Sequence, residues 1–206
     1  MAETSGLIQG HDEWVIRQAL HDMSSWLEHL PNLIVSINVS PFQLRNADFI
    51  QRLKQLLPST RKHDCLNLEF ELTETASITN SRHIAQVLQA VSHLGIQLSL
   101  DDFGQGNTSF LELKQGLFSV IKIDKSLLWE ALKTDGDRQL LQATIQSAHS
   151  LGLQITAEGI ETEQHLQLAK ELACNKVQGF MLSPPLSAAE FGALLQQQRP
   201  AMAHVE

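Results

Sequence analysis

Polar and charged residues fall at, or close to, the C-terminal ends of short apolar runs. They are Asn38 in "LIVSINVS", Glu69 and Glu71 in "LNLEFEL", Asp101 and Asp102 in "IQLSLDDF", Lys122 and Asp124 in "FSVIKID", Glu158 in "LQITAEG" and Gln178 in "KVQGFML". One amide and several carboxylates, with no His or Cys among them, make an oxygen donor set that selects hard cations such as Mg2+ or Mn2+. The adjacent acids Asp101 and Asp102 would gain most from such an ion, because a divalent cation nearby favours both carboxylates in the charged form. Two ions about 3.5–4 Å apart can activate water and hold a phosphate diester for in-line attack, and Lys122 would balance phosphate charge. The residues alone therefore point to metal-assisted phosphoester chemistry.

Each of these residues also has a purely structural reading. Glu69 and Glu71 flank Phe70, as on the wet face of an edge strand, and Lys122 shares a face with Val120 and Asp124, as in a salt bridge at a strand end. Asn38 could be a turn residue before "SPFQ", Gln178 a surface amide before Gly179, and Asp101-Asp102 a cap for the following turn. These readings do not explain why the pattern recurs at the same end of every run. "DFG" at 102–104 matches the metal loop of protein kinases, but no HRD-like loop precedes it and no glycine-rich strand pair opens the chain. A pair of carboxylates would suit a glycosidase, which has no call for Asn38, Lys122 and a double Asp together.

The elements that must position these residues alternate. Strands are expected at 33–40, 66–72, 96–103, 118–124, 153–159 and 176–182. Between them lie helix-like segments with recurrences at spacings of three and four: Phe49, Ile50, Leu53 and Leu57; Ile84, Val87, Leu88 and Val91; Leu140, Leu141, Thr144, Ile145 and Ala148; Leu166, Ala169 and Leu172. An opening helix from about Asp12 to Leu30 is expected to place Trp14, Leu20, Met23 and Leu27 on one side. Gly95 and Gly152 stand where helix C-termini are expected, and Pro184-Pro185 stops the last strand. This βα alternation implies a parallel sheet, whose sites are built at the C-terminal ends of the strands.

A chain of 206 residues accommodates one domain with a sizeable core. The expected partition is a single domain over 1–206, with an N-terminal helix region at 1–30, a β/α core at 33–186 and a C-terminal helix and tail at 187–206. No apolar run approaches the roughly 20 residues that span a bilayer, and a net charge of −8 without a basic cluster disfavours a nucleic-acid partner. Cys65 and Cys174 belong to no CxxC pattern and the N-terminus has no signal-like charge and hydropathy order, so two free thiols in a reducing cytoplasm are expected.

The stretches "SINVSPFQL", "LEFELTET", "LSLDDFGQGNTSF", "VIKIDKSL", "ITAEGIET" and "VQGFMLSPPL" resemble, in order and spacing, the successive motifs of the EAL-domain family. The resemblance runs from "AETSGLI" near Glu3 to about Phe191. It implies a TIM-barrel-like α/β fold and hydrolysis of the bacterial second messenger cyclic di-GMP to pGpG with Mg2+ or Mn2+. By motif, Asn38, Glu71 and Asp101 resemble metal ligands, with Asp102 at a second ion. Lys122 resembles the lysine at the scissile phosphate and water, and Glu158 the general base. Glu161 and Gln178 resemble supporting groups, and Glu74 resembles the glutamate that steadies the loop after "DDFG", a loop the family uses for dimer contacts. The family's Glu-Ala-Leu strand, which supplies a further ligand, lies upstream of the "AETSGLI"-like stretch, so a barrel of about six β/α units is expected here. Gln105 and Asn107 stand where the family has Thr and Tyr. Two readings follow: a cyclic di-GMP phosphodiesterase, or a module that holds cyclic di-GMP or a protein partner without turnover. Open sheet edges in an incomplete barrel would recruit a second copy or another chain.

Overall fold

The computed structural model describes residues 7–57, 67–73, 82–104, 113–114 and 116–198. In chain order the elements are α1 (Leu7–Trp26), β1 (Val35–Asn38), α2 (Pro41–Leu44), α3 (Phe49–Leu56), β2 (Leu68–Thr73), α4 (Arg82–His93) and β3 (Gln97–Phe103). They continue with β4 (Val120–Ile123), α5 (Lys125–Glu130), α6 (Asp135–Ser150), β5 (Gln154–Ala157), α7 (Glu163–Glu171), β6 (Lys176–Val177) and α8 (Ala188–Gln198). The strands form one sheet in the order β1-β2-β3-β4-β5-β6, every neighbouring pair parallel. The sheet curls into a half-barrel with helices outside. No helix among the described residues is long and apolar enough to cross a membrane.

Strand residues alternate between two environments, as a pleated backbone requires. Leu68, Phe70 and Leu72 of β2, Leu98 and Leu100 of β3, and Ile121 and Ile123 of β4 are fully buried and form the core with the helices. The alternate residues Glu69, Glu71, Ser99, Lys122 and Thr156 are also buried, but on the concave side. The sheet is thus apolar towards its helices and polar towards the barrel axis. In α4 the stripe Ile84, Val87, Leu88 and Val91 is buried, at the spacing that predicts it. Thr134 caps α6 by accepting from the Asp137 amide at 3.1 Å, and Gly95 and Gly152 take φ of 88° and 77° just past α4 and α6.

Several elements depart from the sequence-based expectation. Helix α1 runs from Leu7 to Trp26, not from Asp12 to Leu30, and Trp14 is 59% exposed. The buried stripe is set by Ile16 and Met23, two turns apart, with Leu20 and Leu27 half-buried in line; Trp14 lies two residues from Ile16 and so about 200° around the helix. Leu140 is likewise exposed, one residue off the stripe of Leu141, Ile145 and Ala148. The last strand is shorter than 176–182: only Lys176 and Val177 pair with β5. The chain then turns at Gly179, whose carbonyl accepts from the Leu182 amide at 3.0 Å, leaving Phe180 and Leu182 exposed. The wet-face reading of Glu69 and Glu71 fails because both are buried, and Glu69 accepts from the Ser36 hydroxyl at 3.1 Å.

Strands β1 and β6 are the two edges of the sheet among the described residues. Helix α8 returns to pack on α1, where Trp26 and Phe191 meet edge to face with ring centroids 4.9 Å apart. Ser36 and Asn38, on the concave face of β1, are exposed.

Candidate metal and phosphoryl-transfer site

The site is organised around Lys122, a β4 side chain only 5% exposed. Its Nζ lies 2.9 Å from Glu71 Oε2 of β2, 3.1 Å from Asp101 Oδ1 of β3 and 2.7 Å from Glu158 Oε1 just after β5. An ammonium has three donors, and here three carboxylates, two from strands β2 and β3 and one from the residue just after β5, surround it. Parallel register does this work: Glu71 is paired with Ser99, two residues before Asp101, and Lys122 is paired with Thr156, two residues before Glu158. Period-two alternation then turns all four side chains to the concave face.

A bulge resolves how two adjacent acids can serve one site. Leu100 of β3 is opposite Ile121 of β4, yet Phe103 is opposite Ile123, so two residues of β3 face the single Lys122. In a regular strand Asp101 and Asp102 would point to opposite faces; a bulge re-aims the second side chain. Asp102 adopts φ of 56°, a left-handed conformation that Asp tolerates better than most residues. Its amide donates to Asp101 Oδ1 at 3.1 Å. As a result one carboxylate oxygen each from Asp101, Asp102 and Glu158 lie within 4.8 Å of one another.

The electrostatics follow from three acids sharing one cation in a partly dry setting. Burial raises Glu71 and Glu158 above the ordinary glutamate range; hydrogen bonds and attraction to Lys122 work against this, and repulsion from Asp101 adds to it. Burial alone would depress Lys122, but its hydrogen bonds to Glu158 and Glu71 outweigh it and hold the ammonium above the usual lysine value. The donor chemistry fits a hard divalent cation: Asp101, Asp102 and Glu158 offer converging anionic oxygens with no nitrogen or sulfur ligand.

The sequence-derived candidates fall in distinct places. Glu71, Asp101, Asp102, Lys122 and Glu158 come together. Asn38 is the register partner of Glu71 and stands on the exposed rim of β1. Gln178 lines a concave cavity of about 350 Å³ together with Glu71, Lys122, Thr156 and Lys176. Glu161 is exposed in the loop after β5, its backbone amide donating to His165 Nδ1 at 3.2 Å. Glu74 lies outside the described residues. Asp124 is a helix cap, its Oδ1 accepting from the Ser126 amide at 2.8 Å.

Sequence reasoning missed the concave-face residues Ser36, Thr156 and Lys176. Lys176 Nζ lies 3.9 Å from Glu69 Oε2. The signal that could have found it is its two-residue spacing from Gln178 on a strand whose other side is apolar Val177. The tripeptide Glu130-Ala131-Leu132 is no strand motif: Glu130 ends α5, is exposed and pairs with Lys133 at 2.6 Å.

The loop that carries Glu158 is held from three sides. Trp129 Nε1 of α5 donates to the Gly159 carbonyl at 3.0 Å. Gly159 has φ of 67° and a Cβ there would meet Lys125 Cβ at 2.3 Å, while a Cβ on Gly179 would meet the Ile160 backbone at 2.2 Å. Only glycine permits these approaches.

The EAL domain family matches residues 1–185. Among curated relatives, the signaling protein YkoW of Bacillus subtilis is 34% identical over 198 residues, covering 96% of this chain and 25% of that protein. The cyclic di-GMP phosphodiesterase NbdA of Pseudomonas aeruginosa is 33% identical over 200 residues, covering 97% and 25%. The chain thus spans about a quarter of the length of these relatives. Among solved structures, the PaMucR phosphodiesterase in complex with c-di-GMP superposes with a TM-score of 0.83 at 31% identity, over 92% of this chain and 77% of that one. The cAMP-bound form of the EAL enzyme Bd1971 gives 0.84 at 27% identity, over 94% and 54%.

Proposed function

This chain belongs to the EAL domain family, and from that premise we propose that it hydrolyses cyclic di-GMP to pGpG with Mg2+ or Mn2+. The observation that carries the reading is the convergence of Asp101, Asp102 and Glu158 beside Lys122. Relatives named as cyclic di-GMP phosphodiesterases, at 33% identity over nearly the whole of this chain, support it.

In this reading Glu71, Asp101 and Asp102 hold the cation, with the Asn38 amide as a neutral ligand from the rim. A bound divalent ion supplies an activated water and a Lewis acid for the phosphate oxygens. The chain's own groups do the rest. Lys122 offsets charge on the phosphate and on the water attacking it. Glu158, whose proton affinity burial raises above the ordinary glutamate range, takes the proton from that water. Gln178 and Glu161 bound the substrate side, and Glu74 steadies the loop that follows Asp102. The assembly is a single domain over 1–206 that works in the bacterial cytoplasm. A second copy, or another chain, covers the open edge at β1 and the exposed Phe180 and Leu182.

The test is incubation with cyclic di-GMP and Mn2+, with Glu158→Ala as control and pGpG measured alongside nucleotide binding. Turnover lost in the variant supports the phosphodiesterase. Nucleotide binding by the wild-type protein with no pGpG formed supports the non-hydrolysing module, and turnover unchanged in Glu158→Ala refutes the site assignment.

A further inference from the structure

We infer that Trp129 and His165 form a positioning pair that sets the orientation of Glu158, an inference that rests on the phosphodiesterase reading for its kinetic consequence. The chain between β5 and α7 has to deliver the Glu158 carboxylate to Lys122 at 2.7 Å and to the Asp101 and Asp102 oxygens. Glu158 donates its own amide to the Ile123 carbonyl at 3.1 Å, and Ile160 exchanges bonds with Gln178 and Met181 at 3.0 and 2.9 Å. Two backbone groups in this stretch are met by side chains instead. The Gly159 carbonyl accepts from Trp129 Nε1 at 3.0 Å, and the Glu161 amide donates to His165 Nδ1 at 3.2 Å.

These two side chains also hold each other. The Trp129 and His165 rings stack with centroids 5.5 Å apart and an interplanar angle of 21°, and Lys125 Nζ lies 5.4 Å from the Trp129 ring centre on the same helix. The indole is therefore in contact with an imidazole and an ammonium, with its one N–H directed at the residue that follows Glu158. Gly159 sits in a left-handed conformation with Lys125 so close that a Cβ there would meet Lys125 Cβ at 2.3 Å, so only glycine lets the chain pass here. The planar Gly159–Ile160 peptide is thus held at both polar ends, its carbonyl by the indole N–H and its own N–H by the Gln178 carbonyl, and without the indole the second bond holds it alone. Loss of the indole hydrogen bond lets Glu158 swing without disturbing the core, and a displacement of about 1 Å is enough to cost on the order of a hundredfold in rate.

The experiment compares wild type with Trp129→Phe, which keeps a stacking ring and loses the donor, and with His165→Phe, which keeps the stack and loses the acceptor. Backbone hydrogen exchange, Mn2+ affinity and steady-state kinetics with cyclic di-GMP are measured on the full chain. Expected in both variants are Glu161 amide exchange at least about tenfold faster, with the Ile121 amide unchanged, and Mn2+ binding weakened about tenfold. For turnover, kcat falls about ten- to a hundredfold with KM within about twofold. Exchange and Mn2+ affinity equal to wild type overturn the inference, as does exchange that rises uniformly through the core. If the wild-type protein forms no pGpG, it is the phosphodiesterase reading that fails, and exchange with Mn2+ affinity still decides the positioning role.

Discussion

Replacing Lys122 by Met tests the electrostatic account of the site directly. The substitution keeps an unbranched chain of similar length and removes the ammonium that lies 2.9, 3.1 and 2.7 Å from Glu71, Asp101 and Glu158. Taking one partner from a buried ion pair costs about 3–5 kcal/mol. The three carboxylate side chains retain 9%, 15% and 17% exposure, so water relieves part of the penalty and the low end, about 3 kcal/mol, applies. For a protein of this size that corresponds to a fall in Tm of about 6–12 °C. The pH dependence has a definite sign. Glu71 and Glu158 are raised above their ordinary 4.5, so the folded state holds their protons more tightly than the unfolded chain does. The stability this contributes is fully present below about pH 4.5 and is lost as pH rises through the raised values. Without Lys122 to draw them down, both rise further. The variant's deficit is therefore larger at pH 8 than at pH 5. Urea unfolding of both proteins in chelator at the two pH values measures it. Equal stability of wild type and Lys122→Met at pH 8, or a deficit that does not shrink at pH 5, would refute the argument.

Gly179→Ala should destabilise by more than the roughly 1 kcal/mol of an average point substitution, because the new Cβ meets the Ile160 backbone at 2.2 Å and one of the two chains must shift; chemical unfolding measures it, with loss of Mn2+ binding as the site-level sign. Leu88→Ala removes a fully buried side chain of α4 and is expected to cost about 2–5 kcal/mol with metal binding retained, read from urea midpoints at constant slope. Thr134→Ala removes the cap of α6 and should cost about 1 kcal/mol, while Thr134→Ser should recover most of it. Burial pushes the Cys174 thiol up to about 11, so in a Cys65→Ser background alkylation should be slow at pH 8 and should still be accelerating above pH 10. A rate that levels off near pH 9 would contradict the buried setting of that thiol.

The set of converging oxygen donors was legible in the chain because it depends on residue type and on a period that sequence carries. Oxygen donors at the ends of runs such as "LSLDDF" and "VIKID" need only strand alternation and parallel order to converge, and both follow from the βα pattern. The buried stripe of α4 was readable for the same reason, since 3.6 residues per turn is a local property. What sequence could not decide was anything set by a neighbour distant along the chain. Trp14 looks like a core residue until Ile16 and Met23 are seen to take the side that faces the sheet. Glu69 looks like a wet-face residue until the curl of the sheet closes over it. The end of β6 depends on where Gly179 passes Ile160, a contact between segments about 20 residues apart. Asp101 and Asp102 show both sides of this division. Their identity and adjacency already asked for a cation, but the bulge opposite Lys122 and the left-handed backbone of Asp102, which together let both carboxylates serve one site, exist only because β3 is paired to β4 in a register that no local pattern encodes.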